Sequence, residues 1–292
     1  MSSATTTSTT GSPGKQKVKL ATWQVSGRQW VYVVLVILGI GLAFLTYESL
    51  NAIPPMSRWP VFYAFDEKAG QLVQPLTGSD PYQTFILKSW LDAKIPFVPV
   101  LALPYITFLA IAPLVVPLLT LAVGGFRRFL TVGFALIVSQ LILDVGYILF
   151  QTNVLRTDTP PAGFLGFLVD MVQGKDLPFN GYPSGHCTWT TIAIIALFRL
   201  RKQIPKTAWI LMCWIALVYP ATVMLQQHYL MDVYAGLFVG FASYWAVMFI
   251  VERPKLVPRG DDPLGKPREQ PEPGAEPTPL ATPPAPEPVP AR

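Results

Sequence analysis

The feature that most restricts this chain is a series of long apolar stretches, near residues 30–47, 97–123, 129–150, 187–199 with its flanks, 207–224 and 229–251. A helix needs about 20 residues to cross the hydrocarbon core of a bilayer. Four of the stretches reach that length, the first is slightly short, and the fourth reaches it only if it starts near Pro183. In lipid every backbone N–H and C=O must be paired inside the protein, which a helix does one span at a time. The expected fold is therefore all-α, an integral membrane bundle of six helices over residues 29–251. Pro99, Pro104, Pro113 and Pro117 interrupt the second stretch, so it is expected to kink and to pack on neighbours that take up its freed carbonyls. Of the 292 residues 51% are hydrophobic and 13% charged. Soluble domains carry roughly 25% charged residues, so one large water-soluble core is excluded.

Both ends lack the means to order themselves. Residues 1–28 begin with a Ser, Thr, Gly and Ala run, and 252–292 hold 13 of the 30 prolines and no aromatic residue. Both are expected to be disordered. The first span is not read as a cleaved signal peptide, because it begins almost thirty residues in and Glu48-Ser-Leu-Asn-Ala-Ile-Pro-Pro55 is a poor cleavage site.

Basic residues set the expected orientation. Lys15, Lys17, Lys19 and Arg28 precede the first span, and Arg127 and Arg128 follow the second. Arg199, Arg201, Lys202 and Lys206 follow the fourth, and Arg253, Lys255 and Arg259 the sixth. All fall on one side of a six-span path, which the positive-inside rule makes cytoplasmic, with both termini inside. Segment 48–96, segment 151–186 and the turn near Gln226 to His228 are then external. The formal charge of +5 is accounted for by topology rather than by a nucleic-acid patch. Cys187 and Cys213 lie in apolar stretches and support neither a disulfide framework nor a metal site.

The chain has two histidines, and both fall on the external side. In Gly181-Tyr-Pro-Ser-Gly-His186-Cys-Thr-Trp189 a turn leads into a helix start, where Ser184, the Gly185 amide and His186 can surround an anion. In His228-Tyr-Leu-Met-Asp232 a helical i,i+4 spacing lets Asp232 accept a ring N–H of His228 and leave the other nitrogen nucleophilic. Arg156, at the external end of the third span, supplies a planar fork suited to phosphate. A held nucleophile, a second histidine as acid and a cation suit phosphoryl transfer without metal or cofactor.

Tyr182-Pro-Ser-Gly-His186, followed by His228-Tyr-Leu-Met-Asp232, resembles the second and third signature motifs of the type 2 phosphatidic acid phosphatase superfamily. Asp92-Ala-Lys-Ile-Pro-Phe-Val-Pro99 with Pro104-Tyr105 is similar to a segment of the branch that includes inositol phosphorylceramide synthases and the sphingolipid synthases. The resemblance covers roughly residues 90 to 250. It implies a six-helix core in which His228 forms a phosphohistidine, Asp232 orients it and His186 protonates the leaving group. Two departures stand out. Leu149 and Thr157 replace the Lys and Pro of the first motif around Arg156, and Thr222 stands where the third motif usually has Arg. Fewer cations suit a phosphodiester, which carries less charge than a monoester.

The expectation is thus a membrane enzyme that cleaves a lipid phosphoester, as a phosphatase or as a head-group phosphotransferase using an acceptor alcohol or lipid. A dedicated sphingolipid or inositol phospholipid synthase-type transferase, and a non-catalytic transporter or scaffold, are the competing readings. A plasma (inner) membrane location is expected, with the site external and no obligate protein partner. Asp144, an acid inside the third span, either bonds a neighbouring helix or contacts substrate. Lys175 and Asp176, on the loop ahead of His186, are read either as solvated loop charges or as groups that approach the phosphate, and Trp23, Trp30, Trp59, Trp90 and Trp209 as an interfacial belt. Pro81 to Lys94 is read either as an amphipathic surface helix or as a packed loop.

Overall fold

The computed structural model describes residues 25–52, 64–66, 71–73, 86–150, 152–156 and 160–253. The terminal segments, Trp23, Trp59 and most of 53–85 lie outside the described residues. Among the described residues seven helices carry the architecture: α1 Gly27–Ala52, α2 Pro99–Gly124, α3 Phe126–Leu149, α4 Phe164–Lys175, α5 Gly185–Leu200, α6 Pro205–Met224 and α7 Leu230–Val251. A short antiparallel hairpin, β1 Ala64–Asp66 with β2 Gln71–Val73, departs from the expected all-α composition.

Among the described residues, α1, α2, α3, α6 and α7 are long and apolar enough to span a bilayer. The fourth expected span forms as α5, which has only 16 residues and starts at Gly185 rather than near Pro183. It falls short of the roughly 20 residues a full span requires. Eleven of its residues are buried, and it packs against α2, α3, α6 and α7 at the centre of the bundle. Helix α1, by contrast, runs longer than the stretch 30–47. A reciprocal cap starts it: the Ser26 amide donates to Gln29 Oε1 at 2.8 Å, and the Gln29 amide donates to Ser26 Oγ at 3.4 Å. Val33, Val36, Ile40 and Ala43 form its buried face, while Leu35, Leu38, Leu42 and Leu45 point outward. Those two sets at spacings of three and four residues are what a helix between a bundle and lipid needs.

Proline patterning shapes α2 as expected. Its turns widen to π-helical geometry at Ile111–Val115, around Pro113, and again at Thr120–Gly124. Pro113 and Pro117 have no N–H to give to the ladder, so the regular i→i−4 pattern cannot run through them. Gly125, at φ 87°, reverses the chain into α3.

Helix α7 approaches α5 backbone to backbone. A Cβ at Gly236 would lie 2.5 Å from the Ser184 carbonyl oxygen, and one at Gly240 would lie 2.5 Å from that of Thr188. Thr188 Oγ1 donates to the Gly236 carbonyl at 3.0 Å across this seam. Small residues four apart allow this separation, a common solution in lipid, where side-chain packing replaces hydrophobic drive. At the far end of α5, Arg199 holds Glu252 through two bonds of 2.7 Å and also donates to Tyr244 Oη at 3.0 Å. His186 and Arg199 are 13 residues apart on one helix, so they occupy opposite ends of the bundle, about 20 Å apart.

Of the two readings of Pro81 to Lys94, the loop is the one seen in its described part: over 86–94 the chain forms a turn and the single 3₁₀ turn Asp92–Lys94 rather than an amphipathic helix, and 81–85 lie outside the described residues. Asp92 turns its carboxylate back on the Ser89 amide and hydroxyl, and the Pro96 and Pro99 that follow oppose helix continuation. The amphipathic helix is instead α4, inside a segment expected to be loop. Leu168, Val169 and Val172 face α2, while Phe164 and Phe167 are more than 60% exposed.

Candidate active site

The site is built where the N-terminus of α5 meets the loop before α7. Residues 152–156 run against 178–182 as a strap: the Val154 amide donates to the Pro178 carbonyl, and Thr152 Oγ1 accepts from the amides of Gly181 and Tyr182. This places the Gly181 carbonyl against His228 Nδ1 at 3.0 Å. A carbonyl can only accept, so Nδ1 bears the ring proton in the neutral imidazole and Nε2 carries the lone pair. Nε2 is buried with no hydrogen-bond partner among the described residues. Gly181 is confined here, since a Cβ would meet Thr152 Oγ1 at 3.0 Å and Asp232 Oδ2 at 3.1 Å.

His228 and Asp232 meet differently from the helical pair read in the sequence. Helix α7 begins at Leu230, so His228 precedes it, and Asp232 Oδ2 accepts the Tyr229 amide at 2.8 Å in a capping box. The same oxygen lies 3.5 Å from His228 Nδ1. The helix N-terminus competes for the carboxylate, which leaves Gly181 as the nearer partner of the ring. Asp232 then faces the ring at ion-pair distance rather than through a short hydrogen bond.

Around this loop the fold adds supports whose contacts the sequence pattern does not encode. Asp92 Oδ1 accepts the Leu230 amide at 2.8 Å, and the Val98 amide donates to the Met224 carbonyl at 3.0 Å. The segment 92–98 therefore braces the loop that carries His228. Thr222, at the position of the family's usual Arg, is fully buried, and its carbonyl accepts the amides of Gln227 and His228 at 2.9 and 3.0 Å.

His186, 7% exposed, stands on the first turn of α5 with its ring centroid 5.7 Å from that of His228. Ser184 is the N-cap of α5: its Oγ accepts the Cys187 amide at 3.3 Å, and its own amide donates to the Asp232 carbonyl at 3.0 Å. Its hydroxyl is thus engaged with the helix. Gly185 lines a small cavity beside His186, with Tyr147 Oη where a Cβ would make contact at 3.0 Å.

Arg156 is brought to the same region with most of its donors directed at protein. Nη1 donates to the Gln173 carbonyl at 2.8 Å, and Nη2 donates to the Asp176 carbonyl and to Gln227 Oε1, the latter at 2.6 Å. Nε is buried without a partner among the described residues. The guanidinium ties the C-terminal end of α4 to the residue before His228, where a helix terminus favours a cation. Burial pushes its pKa below the usual arginine value, opposed by the nearby Asp176.

Asp144 is held between helices: Thr46 Oγ1 of α1 donates to it at 2.8 Å and Gln140 Nε2 at 2.7 Å. Of the two sequence readings, these bonds match the inter-helix one. Asp176 departs furthest from its reading as a solvated loop charge. Tyr105 Oη donates to its Oδ2 at 2.8 Å, and Tyr47 Oη donates to its Oδ1. Tyr105 also stacks on His186 with centroids 4.4 Å apart. Tyr47, Tyr105 and Asp176 were absent from the sequence-derived site because they lie on three separate segments.

A cavity of about 640 Å³ opens between α1, α2 and α4, with Leu109 and Met171 among its apolar walls and Glu48, Lys175, Asp176 and His186 among its polar groups. An apolar cleft with a few convergent polar groups is the usual form of a ligand site. Among the described residues no group of three or more His, Cys, Asp and Glu is placed to hold a metal ion.

A family model, the PAP2 superfamily, matches residues 101–255, just over half of the chain. No curated protein and no solved structure matches.

Proposed function

This chain belongs to the PAP2 superfamily, and from that premise we propose that it cleaves a lipid phosphoester through a phosphohistidine on His228. The observation that carries the reading is the Nδ1 contact to the Gly181 carbonyl at 3.0 Å, which leaves the Nε2 lone pair free for attack. Nε2 forms a bond to phosphorus as the bond from phosphorus to the leaving oxygen breaks. His186 gives its proton to that oxygen. Nδ1 keeps its proton, and the positive ring that results is stabilised by Asp232 at 3.5 Å. In the second half an acceptor O–H attacks the phosphorus, His186 takes its proton, and the P–N bond breaks.

Head-group transfer is the form of the reaction we favour. Arg156 has most of its donors on protein acceptors, and Lys175 shares the large cavity with two acids. Such a site suits the single negative charge of a diester better than the higher charge of a monoester. In this reading α5 completes a six-helix bundle, the basic end faces the cytoplasm of a plasma (inner) membrane, and the histidines sit at the outer leaflet. Lipid enters from the side into the cleft between α1, α2 and α4.

The test is a trapping experiment on purified protein given phosphorus-labelled phospholipid, quenched in alkali, where phosphohistidine survives. Label is expected on wild type and absent from His228→Ala, with turnover lost and the folded protein retained. Full turnover by His228→Ala would refute the mechanism and favour a scaffold or transporter. Adding candidate acceptor alcohols then separates the products: new phospholipid supports transfer, and free phosphate alone supports hydrolysis.

A further inference from the structure

The proposed acid, His186, carries a feature that phosphoryl transfer alone does not explain. It is buried, and burial pushes its pKa down to about 4 against the opposing charge of Asp176, yet it must hold a proton when the leaving oxygen departs. Three separate elements converge on its ring. Tyr105 of α2 stacks on it, with an interplanar angle of 24° and its Oη 3.3 Å from Nδ1. The Tyr105 proton points away, to Asp176 Oδ2 at 2.8 Å, so the phenol offers only lone pairs to the imidazole. Asp176, just after α4, takes its second hydrogen bond from Tyr47 of α1, whose ring meets His186 edge-on at 6.5 Å. Both hydrogen bonds to this carboxylate come from phenols, and the nearby Arg156 binds its backbone oxygen instead.

Resting on the reaction proposed above, we infer that Tyr105 and Asp176 are a positioning pair that orients the His186 ring and offsets part of the burial cost of its protonated form, with Nε2–H toward the leaving oxygen. Among the described residues, the other rings facing His186 are those of His228, which opposes a second positive charge, and Phe108, which is apolar, while Glu48 and Lys175, of opposite charge, line the same cavity. Tyr147 stands behind Tyr47 at 5.9 Å. Asp176 is the group whose charge favours the imidazolium, and it acts through the phenol that separates the two. The proton balance of the reaction is unchanged: Nε2–H goes to the leaving oxygen in the first half and returns from the acceptor in the second.

An acid matters only when the leaving group needs a proton, and that separates this role from a purely structural one. The full chain in detergent is assayed with two probes, a short-chain phosphatidylglycerol with an alkoxide leaving group and a 4-nitrophenyl alkyl phosphodiester whose phenolate leaves unassisted. For Tyr105→Phe and Asp176→Asn, the ratio of phospholipid to nitrophenyl turnover is expected to fall about tenfold, part of the 10²–10⁴ that acid catalysis supplies. On the phospholipid the alkaline limb of the kcat profile is expected to move to lower pH, because an uncompensated imidazolium loses its proton sooner. Asp176→Glu, which keeps the charge, is expected to recover part of the ratio. Equal loss on both probes, or an unmoved limb with the ratio intact, would overturn the inference while leaving the phosphohistidine chemistry standing. Absence of His228-dependent turnover of either probe by wild type would overturn both.

Discussion

Replacing Gly236 by Ala tests whether the seam between α5 and α7 sets the spacing of the two histidines. The added Cβ would lie 2.5 Å from the Ser184 carbonyl oxygen and 3.0 Å from Cys187 Cβ, against an ordinary contact of 3.4 Å or more. The nearer obstacle is backbone, so no rotamer change relieves it, and the helices must separate by about 0.9 Å locally. Overpacking of this kind costs about 1–3 kcal/mol. With a melting shift of about 2–4 °C per kcal/mol, a fall of roughly 2–12 °C is expected in detergent. The displacement also reaches the chemistry. Ser184 immediately precedes α5 and lies two residues before His186, while His228 lies two residues before α7. Misplacement of reacting groups by about 1 Å costs roughly 10²-fold in rate, so phosphoenzyme formation should slow by about that factor. Gly41→Ala is the matched control, because its Cβ would meet nothing within 4 Å. It should leave the melting point unchanged or raise it slightly, as Ala does in helices. If Gly236→Ala melted and reacted like Gly41→Ala, the close seam would not be what holds the histidines in register.

Other perturbations act on the supports of the site. Asp92→Ala removes the acceptor of the Leu230 amide and should cost about 1–2 kcal/mol, as lost N-caps do, with a lower kcat in the lipid assay. Arg156→Lys keeps the charge but loses the planar fork that reaches Gln173, Asp176 and Gln227; a drop in melting temperature and in phosphoenzyme formation is expected, close to that of Arg156→Ala. At the other end of the bundle, burial alone would raise the pKa of Glu252, but its bonds from Arg199 outweigh this and hold it below the ordinary 4.5. A depressed carboxyl pKa contributes stability above the unfolded value and loses it as pH falls through the folded one. The melting gap between wild type and Glu252→Gln should therefore be present near neutral pH and close below about pH 4.5; a gap independent of pH would refute the charge argument.

Much of the architecture was legible because lipid imposes a simple rule. Apolar runs of about 20 residues can satisfy their backbones only as helices, and the stretches read near 97–123, 129–150, 207–224 and 229–251 appear within a few residues as α2, α3, α6 and α7. The irregularity of α2 followed from Pro113 and Pro117, whose missing donors act locally. Helix α4 was missed because its apolar face is short and lies among Gly and Pro residues of a segment treated as loop. The stretch 187–199 with its flanks appears as α5, whose 16 residues stay below span length; other helices, rather than lipid, enclose its polar start at Ser184 and His186.

The candidate site divides in the same way. That His186 and His228 belong together was readable in two short motifs, since each residue type and spacing carries its own chemistry. That the Gly181 carbonyl faces Nδ1 was not readable, because every residue has a carbonyl and only the strap at 152–156 aims this one. Nor was the convergence of Tyr47, Tyr105 and Asp176 on His186, whose members are separated by up to 129 positions in the chain. The sequence by itself determined a helical chain for lipid and the two histidines available for chemistry. Only tertiary structure decided which ring nitrogen of His228 is free and which carboxylate serves His186, because those depend on distances between segments that local pattern does not encode.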